Sequence, residues 1–475
     1  MKKTRTLGSM LVFGASVLAL AACGGGQGGG GAKEKIVIWV GEESAKFYTQ
    51  VCNEYVAANP DFNFTVEVKS QDTGTAAATV ISDPSAAADI FTVAHDNVGK
   101  LVQKKLAKPL SATDLVEQVN ADNPASFVEA SSSTLGDDKG TKYLYGAPYI
   151  SQALFLMYNT KYVSAEQAKT FEGLRAAAAA KSSDTKGWTV TGTDGFNFSF
   201  TLLARKDSDK STTLKLYEGG VKTKGACWAQ GDDEVASAKW VQKSLKDPNA
   251  MMWPSNATWA GDIRNEKALA VIGGAWHFET FSQSVGSENV GIAMIPTYEL
   301  TSETAFGTAT AGTVMRGGTF ADCKIFMING SSKSSKYAAE QKLIKYLSSK
   351  EMQEKSFIAC NNMPAYSGFA DRLPEIKAAN PDLADNSIKL AQAQSQMAQY
   401  GIPQPFISGT LNTYFYSKGA PELMKVICDQ YDTSTKTEVY LTDHEIQEGL
   451  YQIQYIWQHG QTPEEVPAKL PAEID

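Results

Sequence analysis

A few acidic and aromatic residues of this chain stand where chemistry is usually done, at turns that follow buried strands. Asp96 closes the run ADIFTVAHD, which reads as a strand (Ile90, Phe91, Val93), a polar turn (His95, Asp96, Asn97) and a helix with Val98, Leu101 and Val102 inward. Ligands of open α/β sheets settle outside the carboxyl ends of the strands, and Asp96 would stand at that rim. An Asp in such a turn also serves as a helix N-cap, and on its own Asp96 fits that role at least as well. Glu42 and Glu43 follow the strand Lys35 to Val40, and Trp276 follows the run ALAVIGG. Paired carboxylates can exchange protons as general acid and base, whereas a carboxylate beside a flat ring can hold a neutral molecule rich in hydroxyls. The histidines His95, His277, His444 and His459 lack metal-ligand spacing, so no metal or other cofactor is expected.

The elements that must position these residues alternate. Lys35 to Val40 is a near-continuous apolar run suited to a strand buried on both faces. It turns at Gly41 into a helix that Ser44 can cap, with Phe47, Val51, Tyr55 and Val56 inward. Phe62 to Val68 is the next strand and Thr75 to Ile81 a helix. Tyr143 to Asn159 is too long for one strand and reads as two, with the chain crossing between lobes near Ile150 to Gln152. Further crossings are expected at Phe306–Thr308 and Cys360–Pro364. Ser164 with Gln167 forms a capping box before an Ala-rich helix, and Thr442 with Glu445 another before a helix with Ile446, Leu450, Ile453 and Trp457 inward. Trp188, Phe196, Phe198 and Phe200 surround a Gly-rich turn, and residues 205–234 read as a polar surface excursion. Strands alternating with helices imply parallel sheets with right-handed crossovers.

Composition narrows the setting. The chain has 475 residues, 43% hydrophobic and 20% charged, which is globular and long enough for about three domains of ~150 residues. Lys2, Lys3 and Arg5 precede an apolar run from Leu7 to Leu20 and then Ala21-Ala22-Cys23, the layout of an export signal over residues 1–22. The run is interrupted by Gly8, Ser9, Gly14 and Ser16 and falls short of the ~20 residues that span a bilayer. Loss of those three positive charges takes the formal net charge from −8 to −11, which argues against nucleic acid and against docking on anionic lipid. Cys52, Cys227, Cys323, Cys360 and Cys428 show no C-x-x-C spacing, and their odd number leaves at least one thiol free in a monomer.

Leu20-Ala21-Ala22-Cys23 resembles a bacterial lipobox, which implies that Cys23 becomes a lipid-modified first residue. Residues 23–32 would then be the modified Cys and a Gly-rich tether of about 15 Å reach. Two acyl chains suffice for stable anchoring, so the protein is expected outside the cell, membrane-bound through its lipid alone.

The blocks IVIWVGEE, ADIFTVAHD, YGAPYISQALFLMYN, ALAVIGGAW, VGIAMIP, the helix from Ala338 to Leu347 and NMPAY, in that order, resemble the extracellular solute-binding proteins of ABC importers, specifically the maltose/maltodextrin branch. The resemblance implies an α/β fold of two lobes, each a mostly parallel sheet flanked by helices, joined by a multi-strand hinge. It implies residues 33–150 with 308–361 as one lobe and 151–307 with 362–465 as the other. It implies Asp96 as an acceptor of sugar hydroxyls and Trp276 as a stacking platform. Gln152 stands where the branch has a carboxylate. Glu42 and Glu43 stand where it has an acidic and a basic residue, so Glu43 departs from the pattern. The turn carrying Asp194, Phe196 and Phe198 and the cluster of Tyr414, Phe415 and Tyr416 fall near further family contacts. The implied partners are an oligosaccharide and ABC permease subunits, with the protein itself a monomer. A secreted glycoside hydrolase is the alternative, since Glu42, Glu43 and Asp96 could supply its two carboxylates at roughly 5–10 Å. A ferric-ion binder would need clustered Tyr or His ligands, which the scattered histidines do not provide.

Overall fold

The structure is a computed structural model. It describes residues 33–459 except 210–216, 219–220, 223–227, 255–256, 399, 405–411, 429–430, 433–436 and 439–440, and also residue 465. The expected leader 1–22 and the expected Cys23 and tether over 23–32 lie outside the described residues. Among the described residues no helix is long and apolar enough to cross a membrane.

The first lobe is built on a sheet in which Glu34–Val40 pairs in parallel with Phe64–Ser70 on one side and Ile90–Ala94 on the other. The long strand Thr319–Asn329 comes next, antiparallel to Ile90–Ala94, and on its far side Gly146–Gln152 pairs with it, again antiparallel. Side chains alternate across a strand, so Phe326 and Ile328 pack on one face of this sheet and Cys323, Ile325 and Met327 on the other. The second lobe holds a four-stranded sheet in the order Val290–Ala293, Phe155–Asn159, Ala268–Gly273, Lys186–Val190, of which only the last pair is parallel. Two lobes of α/β build are as expected. The sheets, however, are mixed rather than mostly parallel, because the strands that enter after a lobe crossing run against those already present.

Three passages of chain run side by side between the lobes. Gly146–Gln152 leaves the first sheet, and Phe155–Asn159 follows within three residues in the second. The last passage comes after the helix Lys350–Cys360, which stops at Asn361 in the left-handed conformation (φ 59°). The Ser151 amide donates to the Met363 carbonyl at 2.7 Å, and the Ser151 hydroxyl to that of Pro364 at 3.0 Å. The middle passage is not at Phe306–Thr308. Thr308 there donates to Asp232, and Val314–Arg316 still pairs with Thr297–Glu299 and Arg205–Lys206. The chain changes lobes inside Thr319–Asn329, whose Phe320 belongs to the second core while Phe326 belongs to the first.

Local details follow the capping rules, with shifts. Ser44 is not the cap of Glu42–Ala58. Gly41 holds that position, and buried Ser44 accepts a bond from Asn362 at 2.9 Å instead. The Ser164–Gln167 box forms both its bonds, yet it opens the short turn Gln167–Lys169, and Phe171–Lys181 takes Thr170 as its own cap. Thr442 and Glu445 bond reciprocally at the start of Asp443–His459. The polar stretch 205–234 is not wholly superficial: Trp228 is fully buried and stacks on Phe415.

Candidate ligand-binding cleft

Topology collects the candidate residues on two facing edges. In the first lobe Ile38 pairs with Ile90 and Trp39 with Phe91, so the turns leaving both parallel strands emerge at the same edge. One carries Glu42 and Glu43, the other His95 and Asp96. In the second lobe Ala270 pairs with Trp188 and Ile272 with Val190, also in parallel, so the turns after these strands meet. They carry Trp276 and the segment Asp194–Phe198.

The second-lobe edge is an aromatic wall. Trp276 is 44% exposed, and its ring folds back over Gly274, where an added Cβ would come within 2.2 Å of it. Its centroid lies 5.8 Å from that of half-buried Phe196, which stacks on Phe320 at 5.9 Å and 23°. Phe320 in turn meets Tyr416 edge-on at 5.9 Å. The turn at Asp194 is fastened to the helical segment Asn412–Ser417, since the Gly195 amide donates to the Tyr416 carbonyl at 2.9 Å. Here a Cβ on Gly195 would press on the Phe415 carbonyl at 3.0 Å, so glycine permits the approach. His277 completes this edge, 5.5 Å from the Trp276 ring, its Nδ1 buried and unpaired among the described residues. Burial drives its pKa down to about 4, against a smaller upward pull from Asp194, so the ring is neutral at physiological pH.

The first-lobe edge supplies the charge. Asp96 is half-buried and accepts one bond, from the Asn97 side chain at 2.8 Å; it caps no helix through its carboxylate. Burial and the neighbouring charge of Asp322 push its pKa up to about 6, against opposing pulls from His95 and Lys100. The Tyr416 hydroxyl, across the junction, lies beside Gln404 and faces Asp96, Asp322 and Asp194; burial first and then these charges keep it firmly protonated. Lys324, in register with Ala94, brings its ammonium to 3.9 Å from Glu43.

The sequence-derived residues thus divide. Asp96, Trp276, Phe196 and Tyr416 come together where the lobes meet. Asp194 lies beside them but is saturated by the amides of Phe196 and Asn197 and the Asn197 side chain, the work of a turn. Gln152, half-buried, stands opposite Asp322 in register. Glu42 and Glu43 are exposed at the start of their helix, and Tyr414 is half-buried against the second core. Phe198 does not belong to the cleft: it is 2% exposed and packs on Phe200 and Trp253, because the short helix Ser199–Leu202 turns it inward. Sequence reasoning missed Phe320, Asp322, Lys324, His277 and Gln404. Phe320, Asp322 and Lys324 carry a readable signal, a charge and an aromatic at the entry of an apolar strand.

Comparison with solved structures bears on the fold. The maltodextrin-binding protein MalE1 of L. casei matches with a TM-score of 0.67 at 20% identity, over 90% of this chain and 100% of that one. MalE of Listeria monocytogenes, in complex with maltose, gives 0.63 at 19%, over 90% and 97%. MalX of Streptococcus pneumoniae, in complex with maltopentaose, gives 0.59 at 18%, over 88% and 99%. No curated protein matches in sequence. The family model of bacterial extracellular solute-binding proteins matches residues 50–385. With that match spanning most of a chain whose two lobes present facing polar and aromatic edges, the protein belongs to the bacterial extracellular solute-binding proteins.

Proposed function

We propose that this protein captures an oligosaccharide of the maltose/maltodextrin type between its lobes and delivers it to an ABC permease. The observation that carries the reading is the wall of Trp276, Phe196 and Phe320 set against the Asp96 carboxylate. Sugars present apolar C–H faces and a rim of hydroxyls, and such a wall receives both. Hydrogen bonds to a charged partner contribute ~1.5–3 kcal/mol each, so a few suffice for micromolar binding once association costs are met. The similar structures with maltose and maltopentaose bound support the choice of sugar. In this reading the lobes close by rotation about the three passages, one lobe being 33–150 with the chain from the middle of Thr319–Asn329 to 361, the other 151 to the middle of that strand with 362–465. Cys23 anchors the protein by lipid to the outer face of the cell membrane, and the protein acts as a monomer.

Hydrolysis is disfavoured by how the carboxylates are used. Asp194 is consumed by its own turn and Asp322 by His95, which leaves only exposed Glu42 and Glu43 to pair with Asp96, and Glu43 is already 3.9 Å from Lys324. Calorimetry against maltose, maltotriose, maltotetraose and β-linked cello-oligosaccharides tests the proposal. Micromolar binding of the α-linked series without new reducing ends is the expected result. Release of reducing ends would establish the hydrolase instead, and absence of binding across the α-linked series would dismiss the sugar.

A further inference from the structure

Directly beneath Asp96 lies a buried charge pair, His95 with Asp322. His95 is 1% exposed and Asp322 5%, on elements separated by more than two hundred residues. His95 Nδ1 stands 2.5 Å from Asp322 Oδ1, and its Nε2 contacts the Gln404 carbonyl oxygen. A carbonyl has no proton to give, so Nε2 must donate. The Nδ1–Oδ1 separation is an ion-pair distance, and buried Oδ1 has no other donor among the described residues, so the ring must supply the compensating proton. The Cys323 amide points at Nδ1 too, at 3.2 Å, a bond open only to a neutral ring; it competes with the ion pair, and the desolvated carboxylate, lacking any other donor, prevails. Both ring nitrogens therefore carry hydrogen, and His95 is an imidazolium.

Its position has a consequence for the cleft. Asp322 and Asp96 are close enough for like-charge repulsion, and an uncompensated Asp322 would favour protonation of Asp96. We infer that His95 is a positioning residue for ligand capture: gripped by Asp322 and the Gln404 carbonyl, its imidazolium cancels the buried charge behind Asp96 and so keeps that carboxylate ionised as an acceptor of ligand hydroxyls. This rests on the cleft being the sugar site. Asp96 is faced by His95 and Lys100 from its own segment, by Asp322 from the crossing strand and by Tyr416 from the second lobe. Beyond Tyr416 stands Asp194, and the Cys323 thiol adjoins His95. The directions agree with the geometry. Burial works against the charged His95 ring, and Asp322 overcomes it, holding the ring protonated well above the usual imidazole range. The same contact bridges lobes, because Gln404 directly follows Gly401–Pro403, the short strand paired with Thr319–Ala321.

The experiment is maltotriose affinity by calorimetry between about pH 5 and 8 for wild type, His95→Gln, Asp322→Asn and the double variant. Wild-type affinity should weaken as pH falls through about 6, by about tenfold at one unit below the midpoint. His95→Gln should move that midpoint up by about a unit or more, whereas Asp322→Asn, which also releases the proton that Asp322 holds on buried His95, should leave it near the wild-type value. The double variant should likewise return close to wild type, since it lacks both charges. Weaker binding in His95→Gln with an unmoved midpoint would overturn the inference and leave His95 a structural pin. A second measurement does not depend on any sugar. In long-range 1H–15N spectra of the ligand-free protein, the ring signal that vanishes in His95→Gln should show two protonated nitrogens at pH 7.5. A neutral ring there overturns the inference. A charged ring with no maltotriose binding fails the sugar reading and, with it, this role for His95. Should His95→Gln not fold, the ring spectra of wild type and Asp322→Asn still decide: the ring should be charged in the first and neutral in the second, and a ring in the same state in both overturns the inference.

Discussion

Trp276 and Phe198 both follow strands of the second sheet, yet burial gives them opposite uses. Trp276→Ala removes a ring that is 44% exposed, so stability should barely change while oligosaccharide affinity falls by ~2 kcal/mol, about thirtyfold. Phe198→Ala opens a cavity in the second core and should cost ~3–5 kcal/mol of stability, with affinity unchanged under conditions where the variant is folded. Paired thermal melts and calorimetry would separate the two, and a collapse of the melting temperature in Trp276→Ala would place that ring in the core. Asp96 has a further signature. Its folded pKa, about 6, lies above the ordinary carboxylate value, so ionisation costs stability as pH rises from about 4 through 6. Asp96→Asn should therefore raise the melting temperature of the ligand-free protein by a few degrees at pH 7.5, a gain that vanishes near pH 4. The same variant should bind maltotriose at least tenfold more weakly at pH 7.5. A melting temperature unchanged at both pH values would show that Asp96 is not desolvated in the ligand-free protein.

At the scale of elements, the helix Asp443–His459 buttresses the aromatic wall from behind. Its Trp457 packs against Phe415 and Trp228, and Phe415 precedes the Tyr416 that meets Phe320. Its cap is worth ~1 kcal/mol, so Thr442→Ala should lower stability by that amount in a urea titration with sugar affinity intact. Such elements were legible in the sequence because their signals are local. Capping boxes span four residues, and a glycine turn after an apolar run marks a strand end within a single window. The carboxyl edge of the first sheet, with Asp96 on it, could be read in this way, and so could the turn presenting Trp276. What could not be read was the far side of the same site. Phe320 and Asp322 sit in Thr319–Asn329, and their place in the cleft depends on pairing with Gly146–Gln152 across the lobe crossing. Spacing tests His95 only as a metal ligand, while its partner lies 227 positions along the chain. Phe198 shows the converse error, a local aromatic pattern that cannot say which way a side chain turns.

For the whole molecule, the three adjacent passages make two bodies that share one strand, and they allow rotation more readily than separation. Small-angle scattering should register this as a decrease in radius of gyration on adding saturating maltotriose, and no decrease would mean that the lobes are already closed without sugar. The proposed lipid anchor at Cys23 is tested apart from the fold. Cys23→Ala should leave maltotriose affinity unchanged and move the protein from the membrane fraction to the medium, as judged by immunoblot of both. Retention in the membrane would mean that something other than the acyl chains holds it.

Thr319–Asn329 also constrains when this protein can fold. It lies between Ile90–Ala94 and Gly146–Gln152, so the first sheet has a gap at its middle until more than two thirds of the chain has been made. Pairings this distant in sequence are slow to form and cannot begin while the strand is still untranslated. Strands of the second sheet, from Phe155–Asn159 to Val290–Ala293, are all made before it, so the later lobe in sequence can pair its strands first. The same swap of segments that joins the lobes thus makes the lobe that begins the chain the last to close its sheet.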